Sequence, residues 1–281
     1  MSTATTVTYI THLRSHHVDQ GFSTEIFNDE RIKRILRGAA RKYGKTPIRE
    51  RLEITKDILR SLLLHLNFTH DDINLRAAFC TAFTGFLRMG EFTWASWDQQ
   101  SSIYRLTRSS VQFVNEGVIL HLPASKTDPF RKGVSIPLSS SNDETCPVTA
   151  LCTLFHRYPK PPSSPLFTRL CGPFNRQWAL RKISQGLLFA GINPKGFTGH
   201  SFRRGAANSA LKAGISKADI MRMGRWKSDS IDRYFSAATT TTHLFSLSKQ
   251  LHANPGPSTP ASTSHSHSHR PTSTQRMPHR A

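Results

Sequence analysis

Apolar and polar positions along the chain run first at helical spacing, then alternate, then return to helical spacing. Between Ser23 and Arg41, Ile26, Phe27, Ile32, Ile35, Leu36 and Ala39 recur every three or four residues, with Arg31, Lys33, Arg34, Arg37 and Arg41 between them. One basic amphipathic helix is expected there. "KYGKTPIRERLEIT" then loses the period at Gly44 and Pro47, which predicts an exposed, positively charged linker. Thr55 is placed to cap "KDILRSLLLHL", and the Asp71 region to open "DDINLRAAFCTAFTGFLRMGE", a stretch apolar enough for a buried helix.

The period then shortens. "SVQFV", "GVILHL" and "GVSIPL" alternate apolar and polar residues, with turns at "NEG" and "KTDPFRKG" between them, so a small antiparallel sheet is expected. Helical spacing resumes with Pro147 in the first turn before "VTALCTLF", continues in "NRQWALRKISQGLLFA" up to Gly191, and again in "SFRRGAANSALKA" up to Gly214. Ser216 is a cap for "KADIMRMG" and Ser228 for "DSIDRYFSA". From about His252 the chain is Pro, Ser, Thr and His in low-complexity order, which predicts a disordered tail. His265, His267 and His269 lie in that tail, where an unstructured segment is favoured over a metal site. The fold class expected is mainly α with a small antiparallel β-sheet, divided into a helical segment over 1–45, a basic linker over 46–55, a catalytic-sized domain over 56–248 and a tail over 249–281.

Charge narrows the partner. Thirty-eight Lys and Arg against eighteen Asp and Glu leave +20 over 281 residues, an excess suited to a polyanion and above all to nucleic acid. The polar start "MSTATTVTYI" and the lack of an apolar run of spanning length predict a soluble intracellular protein without a membrane partner. Cys80, Cys146, Cys152 and Cys171 form no C-x-x-C pair, so buried thiols are expected rather than a zinc ribbon or a disulfide framework.

The chemistry concentrates in "GHSFRRGAANSALKAGISKADIMRMGRWKSDSIDRYF". His200 and Arg203, three residues apart, are predicted to share a helix face with Ala207. By itself the pair also fits a solvated helix end. Arg88, in "GFLRMGEFTWASW", is expected at the end of the buried helix, and Lys126, in "LHLPASKTDPFRKG", where a strand meets its turn. Trp226 and Tyr234 follow. Each has a plainer reading: Arg88 spaced i,i+3 from Glu91 forms an ion pair, Lys126 guards a sheet edge, and Trp226, Tyr234 and Phe235 pack. Arg204 is expected to face solvent or a DNA backbone.

The ordered set Arg88, Lys126, His200, Arg203, Trp226, Tyr234 resembles the active site of the tyrosine recombinase or phage integrase family. It is most similar to recombinases of eukaryotic mobile elements of the DIRS and Crypton kind, through the "GRW…YF" ending. The resemblance covers roughly Thr55 to Ser248. It implies DNA cutting and rejoining through a 3′-phosphotyrosine, without metal or nucleotide cofactor, by a homo-oligomer on double-stranded DNA in the nucleus. It also implies that residues 1–45 are the shortened remnant of a DNA-clamping helical domain. A catalytically inactive DNA-binding descendant and a type IB-like topoisomerase are the alternatives.

The residue types suit that chemistry. Attack on a phosphodiester builds a second negative charge, and two guanidinium forks, Arg88 and Arg203, match its non-bridging oxygens. Tyr234 supplies an oxygen nucleophile whose ester conserves the bond for rejoining. His200 accepts the phenolic proton or hydrogen-bonds the phosphate, and Lys126 protonates the departing sugar oxygen. Trp226 offers an indole N–H to the phosphate and otherwise packs.

Overall fold

The computed structural model describes residues 3–44, 50–95, 105–124, 128 and 130–235. At its start, where no helix is expected, α1 spans Thr3–Asp19. The single helix expected over Ser23–Arg41 is divided: a 3₁₀ turn at Glu25–Asn28 precedes α2, Glu30–Tyr43. The division has a local cause, because the Asp29 carboxylate accepts the Arg31 N–H and starts a new helix there. Part of the positive charge of α2 is paired: Arg31 meets Asp29 at 2.7 Å, and Lys33 meets Glu30 at 2.7 Å. None of the described residues of 3–44 is buried.

The segment read as an exposed linker is only partly so. Residues 45–49 lie outside the described set, but Ile54 is fully buried and the Leu52 N–H donates to the Gly196 carbonyl. Hydrophobic side chains at Leu52 and Ile54 outweigh the charge around them. Thr55 then caps α3, Lys56–Leu64, by accepting the Ile58 N–H. Thr69 caps α4, His70–Thr84, in the same way. Ile73, Leu75, Ala77, Ala78, Phe79 and Cys80 of α4 are all buried, so the helix is covered on most sides and runs through the core.

Here the expected single helix ends early. Gly85 caps α4, Phe86 turns left-handed at φ 51°, and a short α5, Met89–Phe92, begins after Arg88. Arg88 therefore heads a new turn instead of closing a buried helix. A phenylalanine in the left-handed region costs about 1–2 kcal/mol, so surrounding contacts must hold the turn.

The sheet follows the alternation. β1 is Val111–Val114, β2 Gly117–Leu122 and β3 Val134–Ser139, antiparallel in that order. Val118 faces Leu138 and Leu120 faces Ile136, and all four are buried on one side of the sheet. Pro137 sits on the edge strand, where it forfeits no ladder bond. The remaining helices are α6 (Pro147–Arg157), α7 (Arg176–Phe189), α8 (Ser201–Lys212) and α9 (Lys217–Gly224). Asn175 and Ser216 cap α7 and α9 as side-chain acceptors.

Two apolar clusters result. The larger joins α3, α4, α6, α7 and the sheet; the smaller gathers Phe86, Ala206, Ala207, Ala210, Leu211, Ile220, Trp226 and Ile231. Helix α8 lies between them. Its contact with the incoming chain leaves no room at Gly205, where a Cβ would fall 1.7 Å from the Ile54 carbonyl oxygen. Ser201 adds a hydrogen bond from its hydroxyl to the Leu52 carbonyl, 2.7 Å. No helix among the described residues is long and apolar enough to cross a membrane.

Of the thiols, Cys80 and Cys146 are buried as expected, whereas Cys152 and Cys171 are exposed. Cys152 lies on the outer side of α6 and Cys171 in a turn beside the left-handed Gly172. Burial holds Cys80 up at about 12. Burial acts the same way on Cys146, but hydrogen bonds from Ser141 and Thr149 outweigh it and lower the thiol to about 6.

Candidate functional site

Three turns meet at the N-terminal end of α8: the Gly85–Arg88 turn, the Gly199–His200 turn and the Gly224–Trp226 turn. The first two are joined by the Met89 N–H donating to the Gly199 carbonyl, 3.2 Å. Helix α8 and its N-cap supply His200, Arg203, Arg204 and Asn208. His200 is its N-cap residue and is exposed. Arg203 is one turn further in and completely buried.

The expected shared face of His200 and Arg203 is split between two tasks. His200, Arg204 and Asn208, spaced four apart, all reach Tyr234. The Tyr234 hydroxyl lies 3.2 Å from His200 Nδ1. The Tyr234 carbonyl accepts from Asn208 Nδ2 at 2.8 Å and from Arg204 Nη1 at 3.2 Å. Arg204 also stacks its guanidinium over the Tyr234 ring, 5.1 Å from the centroid, and donates to the Arg233 carbonyl at 2.6 Å. It thus fixes the tyrosine segment rather than facing solvent. Tyr234 itself follows a 3₁₀ turn, Asp229–Arg233, where an α-helix was expected. Ser228 caps that turn through the Ser230 N–H.

Arg203, with Ala207 one turn beyond it, faces the smaller cluster instead. Its guanidinium carbon lies over the Trp226 ring, 3.9 Å from the centroid. Nη1 donates to the Phe86 carbonyl at 2.5 Å, Nη2 donates to the Gly224 carbonyl, and Nε has no partner among the described residues. Burial, together with the nearby Arg88 and Arg225 charges, lowers its pKa to about 9, which leaves it cationic at neutral pH. Trp226 is nearly buried and stands edge-on to Phe86 and to Tyr234, 6.1 and 5.2 Å between centroids. Its observed contact is as a platform for Arg203. Gly224 permits this, since a Cβ there would overlap the indole.

Arg88 forms the ion pair that its spacing from Glu91 suggested, Nη1 to Oε1 at 2.8 Å. Glu91 Oε2 also accepts the Arg88 N–H at 2.8 Å and Arg225 Nη2 at 3.1 Å. Both acid and arginine are largely buried. Lys126, with Ser125, Thr127 and Pro129, lies outside the described residues, as does the tail with His265, His267 and His269. The described ends of the β2–β3 connection, Ala124 and Lys132, face Arg225, Trp226 and Lys227 across a groove of about 350 Å³.

The cations converge electrostatically. Desolvation comes first, and then Arg88, Arg176, Arg203 and Arg204, in lowering the His200 pKa from its ordinary 6.5. The imidazole is therefore neutral at pH 7 and has a lone pair to offer. The sign for stability follows: the unfolded chain binds the proton first, so His200 contributes above pH 6.5 and that contribution is lost as pH falls toward the folded value.

The structure thus brings Arg88, His200, Arg203, Trp226 and Tyr234 to one seam. Sequence reasoning missed Glu91, Asn208 and Arg225 as members of the cluster and misplaced Arg204. The i,i+4,i+8 series His200, Arg204, Asn208 was the available signal for two of them.

No family model matches the chain. In sequence it is similar to an integrase/recombinase xerD homolog of Selenomonas ruminantium, 29% identical over 150 residues. That match spans 48% of this chain and 42% of the relative. In fold it is similar to the Tn1549 transposon integrase in complex with transposon right-end DNA, with TM-score 0.53, 16% identity and coverage of 87% of this chain and 84% of that one. It is also similar to a lambda integrase dimer bound to a core site, with TM-score 0.51, 15% identity and coverage of 85% and 65%. The mainly helical architecture with its three-stranded sheet is thus similar in fold to these integrase structures.

Proposed function

We propose that this protein is a DNA recombinase that cuts and rejoins strands through a tyrosine ester, Tyr234 being the nucleophile. The observation that carries the reading is the Tyr234 hydroxyl set 3.2 Å from a neutral His200 beside two arginines, on a recombinase fold. In the proposed reaction the Tyr234 oxygen bonds to the scissile phosphorus and the bond from phosphorus to the 5′ oxygen breaks. His200 takes the phenolic proton, and the 5′ oxygen leaves as a hydroxyl after protonation by Lys126. Arg88 holds the charge on the non-bridging oxygens; Arg203, buried against Trp226 with both Nη atoms on the Phe86 and Gly224 carbonyls, adds its positive charge from behind instead of touching the phosphate as expected. Attack by a 5′-hydroxyl on the tyrosine ester reverses the step and joins strands.

The partner proposed is double-stranded DNA, bound by a homo-oligomer, and the +20 charge supports it. A nuclear, mobile-element recombinase of the DIRS or Crypton kind is the finer form of the proposal, supported by the "GRW…YF" ending. The test is incubation with nicked duplex, whose short fragment diffuses away after cleavage. A protein–DNA adduct that survives denaturant is expected, with a yield that falls steeply as salt rises because each neutralised phosphate releases counterions. Transfer of the cut strand to a second duplex separates a recombinase from a topoisomerase. No adduct at low salt overturns the reading.

The lowered His200 pKa adds a pH dependence. Cleavage rate should decline as pH drops through a midpoint below 6.5, where His200 becomes protonated and can no longer accept the Tyr234 proton. His200→Gln should be slower at pH 7.5 and should lack this acid limb. An unchanged limb in the mutant would assign the titration to another group.

A further inference from the structure

Arg225 stands where a helix end ordinarily takes glycine. It closes α9 at φ 60° and ψ 40°, the left-handed region that a residue with a Cβ rarely adopts. Its backbone gives no reason for the choice, but its side chain does. From a largely buried position, Nη1 donates to the Gly85 carbonyl at 3.0 Å, and Nη2 donates to the Phe86 carbonyl at 3.3 Å and to Glu91 Oε2 at 3.1 Å. The turn it grips contains the second left-handed residue of this region, Phe86. That turn leads directly into Arg88.

Glu91 connects the two arginines. Oε1 faces Arg88 Nη1, while Oε2 faces both the Arg88 N–H and Arg225 Nη2. With Arg225 on one oxygen, the carboxylate cannot turn to enclose Arg88 with both. Arg88 Nε and Nη2 make no hydrogen bond among the described residues and stay available to an anion. We infer that Arg225 is a positioning residue: through Glu91 and the Phe86 turn it sets the direction of the Arg88 guanidinium, and by sharing the Glu91 charge it keeps Arg88 from being neutralised. The catalytic consequence rests on the recombinase reading; the geometric one does not.

Arg225→Gly tests this, because glycine suits the backbone and removes only the side chain. Arg225→Lys keeps the charge but replaces a fork with one amine that cannot reach three acceptors. The first measurement is the ¹⁵N–¹H guanidinium spectrum of the DNA-free protein, with the Arg88 signal assigned by Arg88→Lys. Both variants should fold, and both should shift or broaden the Arg88 signal. The second is cleavage of nicked duplex with either an ordinary or a methylphosphonate scissile group, the latter carrying no charge for Arg88 to balance. Arg225→Gly should cut the ordinary substrate about 100-fold more slowly, the scale of a misplaced reacting group. It should cut the methylphosphonate nearly as fast as the unmodified protein, and should add nothing in an Arg88→Ala background. An unmoved Arg88 signal, or equal slowing on both substrates, overturns the inference. If the unmodified protein cuts neither substrate, the recombinase reading falls, and the Arg88 signal alone decides the positioning.

Discussion

Tyr234→Phe will bind DNA nearly as the unmodified protein does and will form no covalent adduct. The substitution removes one oxygen. The ring keeps its edge-on contact with Trp226, and the Tyr234 carbonyl keeps Asn208 and Arg204, because those bonds are to the backbone. Only the hydroxyl facing His200 is lost. The expected loss of cleavage is complete within detection, on the order of 10⁴-fold or more, since no partial substitute exists for the atom that forms the ester. Denaturing electrophoresis of protein on labelled nicked duplex, beside a salt-matched binding titration, measures both quantities. An adduct of equal yield would mean that another nucleophile forms the bond.

Arg203→Ala should damage both the fold and the chemistry. The Phe86 and Gly224 carbonyls lose the donor that joins their turns; Phe86 keeps Arg225 Nη2, whereas the Gly224 carbonyl loses its side-chain donor at a cost of about 1–3 kcal/mol. Trp226 loses its stacked cation, worth about 0.5–2 kcal/mol. The desolvation cost of the arginine itself is recovered in exchange, so we expect a net loss of about 3 kcal/mol. For a domain of this size, that lowers the melting temperature by about 10 °C. Adduct formation, measured well below the new melting temperature, should also vanish. Arg203→Lys should lose stability too, because one amine cannot span two carbonyls while stacking on an indole. A melting temperature within a degree of the unmodified protein would show that the two turns are held by Arg225 and packing alone.

Elements whose signal lies within a few residues were legible. Thr55 and Ser216 cap the helices that their positions suggested, and the three alternating runs pair as a sheet with apolar residues on one side. Alternation and capping are local, since each needs only a period of two or a hydrogen bond across one turn. Legibility failed where a local pattern was interrupted from a distance. "DDINLRAAFCTAFTGFLRMGE" reads as one apolar helix, yet it breaks at Phe86, whose carbonyl is held by Arg203 and Arg225 from more than a hundred residues away. The α1 helix was missed because its residues show almost no amphipathic period.

The sequence by itself determined the three strands and the helices with a local cap or stop, the excess of positive charge and the order of Arg88, His200, Arg203, Trp226 and Tyr234 along the chain, because composition, period and order are properties of one dimension. Only the tertiary structure decided that Arg204 and Asn208 hold the tyrosine segment, that Trp226 carries Arg203, and that Glu91 divides its charge between Arg88 and Arg225. These pairings join turns distant in sequence, and a buried guanidinium takes whichever carbonyls and carboxylates the packed turns bring within 3 Å or so of it.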